Sequence, residues 1–270
     1  MEKWSADDWA QPSKSFSVKL TNTLSSTAVN DFQFSRSGND ILIQTSPQST
    51  ALVDEISSKF PTVFPQTANV PSVMWGSGGY TDIWHQAPWQ NHEDLWVWKD
   101  DFSKVMGTHE LKFGALYSHN IKNEQLGGAA GGNTPTFITG NGSKTGHAIA
   151  DLLDRNLVLT SYSETDHTGE ALGRWRDTEF YGNDTWKIRP TVTLTLGLRY
   201  SQFPAAHVDN DEISNFIPQF YDGVSFQSAL ITPATAGAHG LPRSLVKPYN
   251  KGFQPRLGLA WDVFGDGKTA

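Results

Sequence analysis

The sequence contains no cysteine, which excludes disulfide staples, thiolate-held metals and a cysteine nucleophile and leaves the compartment open. It also lacks any apolar run approaching the ~18 residues that a membrane-spanning helix needs. That absence does not bear on strands, whose alternating residues hide them from hydropathy. An excess of positive charge is missing too. Lys and Arg number 21 against 28 Asp and Glu, a formal net charge of −7, so nucleic acid is not expected as a partner. The opening Met1-Glu2-Lys3-Trp4-Ser5-Ala6-Asp7-Asp8 is polar and acidic, so it is not expected to act as a signal peptide. The other end stops in the turn-like run Gly265-Asp266-Gly267-Lys268-Thr269-Ala270 straight after an apolar strand, which is expected of a fragment of a longer protein.

What is abundant is the aromatic side chain. Aromatics make up 12% and there are 10 Trp, although hydrophobic residues reach only 37%. Membrane β-barrels carry such a surplus because tryptophan and tyrosine girdles sit at both interfaces. A secreted carbohydrate-binding β-protein carries one for stacking on sugars. The run Val192-Thr193-Leu194-Thr195-Leu196-Gly197-Leu198-Arg199-Tyr200 has period two. It predicts a strand with Val192, Leu194, Leu196, Leu198 and Tyr200 on one face and Thr193, Thr195 and Arg199 on the other. Pro190 cannot donate to a ladder, so it marks a tight turn back to the aromatic run over 175–187.

The same reading predicts strands near 15–24, 28–37, 92–105, 110–121, 175–187, 191–203 and 253–264. Between them lie long connections over 38–91, 122–174 and 204–252. The second contains a candidate short helix over 146–154 and an ambiguous apolar run over 156–162. The connections alternate: short near 25, 107, 189 and 266, long in between. Tight turns at one end and long loops at the other is the layout of a large outer-membrane barrel with short periplasmic turns and long extracellular loops. A β-sandwich mixes its connection lengths. The expected fold class is therefore all-β, an antiparallel meander of about seven strands forming part of a large transmembrane β-barrel.

Three stretches carry a family resemblance. Phe180-Tyr181-Gly182-Asn183-Asp184-Thr185-Trp186-Lys187, followed by Arg189-Pro190-Thr191 and Leu194-Thr195-Leu196-Gly197-Leu198-Arg199-Tyr200, resembles an F-x-Q-D-x-W-K … P-x-L-T-L-N-L-G-L-R-Y hairpin, with Asn183 where Gln is usual and Thr195 where Asn is common. Phe253-Gln254-Pro255-Arg256-Leu257-Gly258-Leu259-Ala260-Trp261-Asp262, with Gly265-Asp266-Gly267-Lys268-Thr269, resembles F-S-P-R-x-G-x-A-W-D … G-D-G-K-T. Asp100-Asp101-Phe102-Ser103-Lys104, with Gly107-Thr108-His109 and Leu111-Lys112-Phe113-Gly114, resembles D-D-F-S-K-x-x-G-K-H-x-L-K-F-G. In order and spacing over 92–270 these are similar to TonB-dependent receptors of the outer membrane, especially the Oar-like ones with a carboxypeptidase-regulatory-like domain. Residues 1–91 match only loosely. The resemblance implies a middle piece of a barrel wall of ~22 strands, with no plug, TonB box or terminal strand in the sequence. It further implies uptake of a bulky ligand (siderophore, glycan or peptide), with outer-membrane lipid and an inner-membrane TonB energy-transducing complex as partners, the latter acting through the missing plug.

Site candidates follow from that layout. Trp96, Trp98, Trp186, Tyr200 and Trp261, with Trp175, are expected as interfacial anchors, or as core aromatics if the fold is a sandwich. Loop residues Trp75, Tyr80, Trp84 and Trp89 are candidates for stacking on a ligand, or for packing the loop on itself. Neighbouring acids such as Asp100-Asp101 point to opposite faces of a strand, so they do not form the carboxylate pair of a glycosidase. The run Asp209-Asn210-Asp211-Glu212 invites a calcium reading but lacks the EF-hand's Gly and distal Glu. The eight His are scattered, and neither Lys-Thr pair has the P-loop's glycines: Asp262 stands where Lys268 would need one, and Ser143 precedes Lys144. Metal, cofactor and catalysis are therefore not expected. The alternative class is a secreted β-sandwich, either a carbohydrate-binding module or a glycoside hydrolase fragment. A surface adhesion barrel without transport is a third reading.

Overall fold

The computed structural model describes residues 6–59, 62–64, 72–74, 87–125, 136–139, 145–147, 150, 159–164 and 169–266. In chain order the strands are β1 (Asp7–Ala10), β2 (Ser13–Ser25), β3 (Ala28–Thr45), β4 (Ser72–Met74), β5 (Trp89–Met106), β6 (His109–Gln125), β7 (Thr136–Thr139), β8 (Leu159–Ser163), β9 (Glu170–Arg189), β10 (Val192–Gln202), β11 (His207–Val208), β12 (Asn215–Phe216), β13 (Leu230–Ile231) and β14 (Phe253–Trp261). The fold is an all-β antiparallel meander, ordered β1-β3-β5-β6-β9-β10-β14, with β2 also on β3 and β11 on β9. The chain divides into two compact units, one of 14–38, 93–121 and 173–270, the other of 1–13, 39–92 and 122–172.

In the first unit the β9–β10 hairpin sets the pattern. Leu198 lies opposite Gly182, Leu196 opposite Asp184, Leu194 opposite Trp186 and Tyr200 opposite Phe180. On the other side of β10, Leu259, Leu257, Pro255 and Phe253 stand opposite Leu194, Leu196, Leu198 and Tyr200. Because alternation is strict, the leucines, Phe180, Trp186, Tyr200, Phe253 and Pro255 fall on one face with Asp184 among them, and Tyr181, Asn183, Arg199 and Arg256 fall on the other. Thr193, Thr195 and Arg199 take the face opposite the leucines, as the period-two pattern requires. The turns are tight: Gly107 at φ +60° and Gly265 at φ +69° supply the left-handed backbone that a side chain disfavours, and Gly265 N–H donates to Asp262 Oδ1 at 2.8 Å.

The connection 204–252, expected as a plain loop, is folded. Ile231, Ala236 and Leu245 are buried together and packed by Ile213, Ile217, Phe220 and Leu241. A helical turn Pro233–Ala236 begins with proline at a position whose N–H is free anyway, and Thr232 and Thr235 cap each other's backbone. β12 and β13 pair with each other in the same connection.

In the second unit the expected loop over 38–91 is shorter than its sequence suggested. β3 continues to Thr45 and β5 begins at Trp89. The alternation fades there because polar residues occur in succession, and cross-strand pairs hold several of them. Ser13 Oγ donates to Asn39 Oδ1 at 2.9 Å, and His92 Nδ1 lies 2.5 Å from Asp40 Oδ1. Ile43, 1% exposed, anchors the extension. A helix, Pro47–Lys59, follows. Its proline sits at the first helical position and Lys59 pairs with Glu55 one turn back at 2.5 Å. A small sheet, β4 parallel to β7 and β7 antiparallel to β8, completes this unit. Most of the helix expected over 146–154 lies outside the described residues, and the apolar run expected over 156–162 resolves in part as β8.

Candidate functional site

The polar face of the first unit is a continuous hydrogen-bonded surface. Tyr181 Oη donates to Asp101 Oδ1 at 2.8 Å, and Lys99 Nζ lies 2.6 Å from the other oxygen of that carboxylate. Arg199 is ion-paired with Glu179. Ser118 Oγ and Asn120 Nδ2 both donate to Asp177 Oδ2 at 3.0 Å. Two glycines make room for this arrangement. A Cβ at Gly114 would collide with the Tyr181 ring and Asp101, and one at Gly197 would collide with the Asn183 side chain. Glycine at these positions therefore lets a neighbouring strand's side chain lie flat across it. Between them is an open depression of about 410 Å³ lined by Lys99, Asp101, Lys112, Tyr181, Arg199 and Arg256, among others.

The opposite face is apolar and carries its aromatics in two groups. Far from the tight turns, Phe34 contacts Trp96 and Trp98 at ring distances of 6.0 and 5.4 Å, Trp98 meets Tyr117 at 5.7 Å, and Tyr200 meets Phe253 at 4.9 Å. The Arg36 guanidinium covers Trp96 at 4.8 Å and pairs with Asp94 at 2.8 Å. Beside the tight turns, Trp186 stacks on His109 at 5.1 Å and Trp261 lies opposite Val192. Leu111, Phe113, Leu196, Leu198, Pro255 and Leu257 fill the span between the two groups as one shallow apolar surface. Two carboxylates interrupt it. Asp100 accepts from Asn30 Nδ2 at 2.8 Å, and Asp184 meets His109 Nδ1 at 2.8 Å. Asp100 and Asp101 thus point to opposite faces, as strand neighbours must.

The sequence candidates distribute as follows. Trp96, Trp98, Trp186, Tyr200 and Trp261 all lie on the apolar face, Trp186, Tyr200 and Trp261 toward strand ends and Trp96 and Trp98 at the middle of β5. Trp75, Tyr80 and Trp84 lie outside the described residues. The placement of Trp89 in a loop is corrected. It is the first residue of β5 and packs edge-to-face on Trp9 at 6.3 Å, because the strand starts earlier than its polar Gln90-Asn91 suggested. Asp209 and Asp211, in the run that invited a calcium reading, are engaged by cations of the protein itself. Asp209 faces Arg174, His207 and Arg243 at 3.3, 3.3 and 3.8 Å, and Asp211 takes Arg243 Nε at 2.7 Å. The protein's own guanidinium groups supply the positive charge these acids attract. Among the described residues no group of three metal-ligating side chains occurs. The pairing of Tyr181, Asp101 and Gly114 had no sequence signal, since residues 80 apart meet only once the strand order is known.

A family model described as outer membrane beta barrel domain matches residues 5–270. No curated protein and no solved structure matches the chain.

Proposed function

The chain belongs to the outer membrane β-barrel domain family and is located in the outer membrane; from there we propose that it forms part of the wall of a TonB-dependent receptor taking up a bulky ligand. The reading of a secreted β-sandwich gives way to the family match. The apolar face meets lipid, the two aromatic groups sit at the interfaces, and the polar face lines the lumen. The spacing supports this. Val192 to Tyr200 is eight steps of ~3.3 Å along β10, and a tilt of ~35–45° brings that to roughly 20 Å of height, close to the ~25 Å apolar band of such barrels.

The observation that carries the TonB-dependent reading is the set of three motif stretches, which fall on five neighbouring strands of one sheet: Asp100 to Gly114 on the β5–β6 hairpin, Phe180 to Tyr200 on the β9–β10 hairpin, and Phe253 to Trp261 on β14 beside β10. In this proposal the tight turns are periplasmic and the long connections extracellular. Those connections capture the ligand, with Trp75, Tyr80 and Trp84 as stacking candidates. A plug, moved by the inner-membrane energy-transducing complex, admits it. The chain itself performs no catalysis.

Growth of a host strain on defined ferric chelates, glycans and peptides tests the proposal. Deleting this gene and deleting the energy transducer are expected to abolish growth on the same compound. A compound lost with this gene but retained without the transducer would refute TonB dependence, and loss of surface attachment alone would favour the adhesion barrel.

A further inference from the structure

The polar-face depression holds more hydrogen-bond donors than acceptors. Its two carboxylates are already engaged: Asp101 by Lys99 and Tyr181, Glu179 by Arg199. The cations are not used up in the same way. A guanidinium carries five N–H donors and an ammonium three, while neither accepts anything. Lys99 spends one contact on Asp101, and Lys112 spends one on Glu110 of its own strand at 2.8 Å. Arg256, exposed on β14 opposite Gly197, has no ion pair among the described residues. The Asn183 side chain lies across Gly197, beside Arg256.

We infer that this depression is a binding site for an oxyanion group, a carboxylate or phosphate borne by a ligand in the lumen, held by Arg256 and Lys112 with Asn183 at its floor. The inference rests on the polar face being the lumen side. A planar, multi-acceptor anion matches the unspent donors, because Arg forms parallel N–H···O pairs with carboxylate or phosphate. A cationic ligand would find both carboxylates already neutralised. The ion pairs Lys99–Asp101 and Arg199–Glu179 also fix their side chains in place before anything binds, which lowers the ordering cost of binding.

The experiment uses the full-length protein in detergent micelles, with inorganic phosphate as probe against chloride at matched ionic strength, and reads the thermal unfolding midpoint. Phosphate is expected to raise the midpoint saturably in the wild type. Arg256→Gln and Lys112→Gln should each lose most of that rise, whereas Lys104→Gln, which sits outside the depression and donates to Thr27 at 2.9 Å, should keep it. If Arg256→Gln does not fold, Arg256→Lys replaces it and should retain a weakened rise. A flat phosphate response in the wild type, or an equal response in Arg256→Gln, overturns the site. The readout does not involve uptake, so its failure leaves the receptor proposal standing, and a transducer-independent growth phenotype leaves the site standing.

Discussion

Single residues on this sheet matter according to what lies over them. Glycines show it best. A methyl at Gly252 would run into the backbone of Ser201, one at Gly114 into the Tyr181 ring, and one at Gly197 into the end of the Asn183 side chain. A backbone neighbour cannot step aside, a ring held by Asp101 moves at the cost of its hydrogen bond, and an amide simply rotates. Alanine substitution should therefore destabilise in the order Gly252, Gly114, Gly197, with Gly114→Ala costing about 1–3 kcal/mol, the usual range for overpacking. Urea unfolding in lipid vesicles would check the ranking, and equal losses at Gly114 and Gly197 would contradict it. None of these contacts was legible in the sequence, where the glycines looked alike. At Asp222, in the folded connection, the backbone N–H of Ser225 and then that of Val224 hold the carboxyl below the usual aspartate range; both donate to its Oδ1 at 2.8 Å. A folded-state pKa that is depressed gives stability present above the ordinary pKa and lost as pH falls through the lowered one. The amide shifts of Val224 and Ser225 should titrate with a midpoint below that of a free aspartate, and a midpoint at or above it would refute the turn.

Elements were legible where one periodicity held and illegible where polar residues satisfied each other. The β9–β10 hairpin reads directly from the sequence because its alternation, its Pro190 turn and its aromatic partner strand agree. The end of β3 does not, since Asn39 and Asp40 look like loop residues until Ser13 and His92 are seen beside them. Helix Pro47–Lys59 hid behind its own starting proline and a run of Ser, Thr and Asp. The connection 204–252 hid its order because its core is small and its clasp is long-range: Arg243 reaches back to Asp211 and to the carbonyl of Asp209, at 2.7 and 2.5 Å. Surface ion pairs are individually weak, and salt screens them. Arg243→Ala is thus expected to quicken hydrogen exchange at β11 and over 209–213 while leaving β9–β10 protected. Raising the salt should move the wild type toward the variant. Exchange that quickens equally in β10 would mean the clasp supports the whole sheet.

At the scale of the molecule, the decisive fact is which surface is left outside. The few buried apolar residues are mostly in the helix, the strand ends and the folded connection, while Phe253, Leu257 and Leu259 of β14 are 60%, 78% and 67% exposed and Leu196 and Leu198 of β10 join them. A water-soluble protein does not leave a contiguous apolar face of that kind open, and hydrocarbon is the solvent that suits it. This much was legible, because period two names the members of each face before any coordinates exist. Which surface a substituted charge meets should then depend on parity alone. Leu196 and Thr195 are neighbours on β10, opposite Leu257 and Gly258 respectively, yet they lie on opposite faces. Arginine on the lipid side near mid-membrane costs ~2–4 kcal/mol, whereas lumen substitutions cost little. Leu196→Arg should therefore lose about that much stability in lipid vesicles, or fail to give the heat-modifiable band of a folded barrel, while Thr195→Arg should fold like the wild type. The reverse order would place lipid against the polar face and undo the assignment of lumen and membrane sides together.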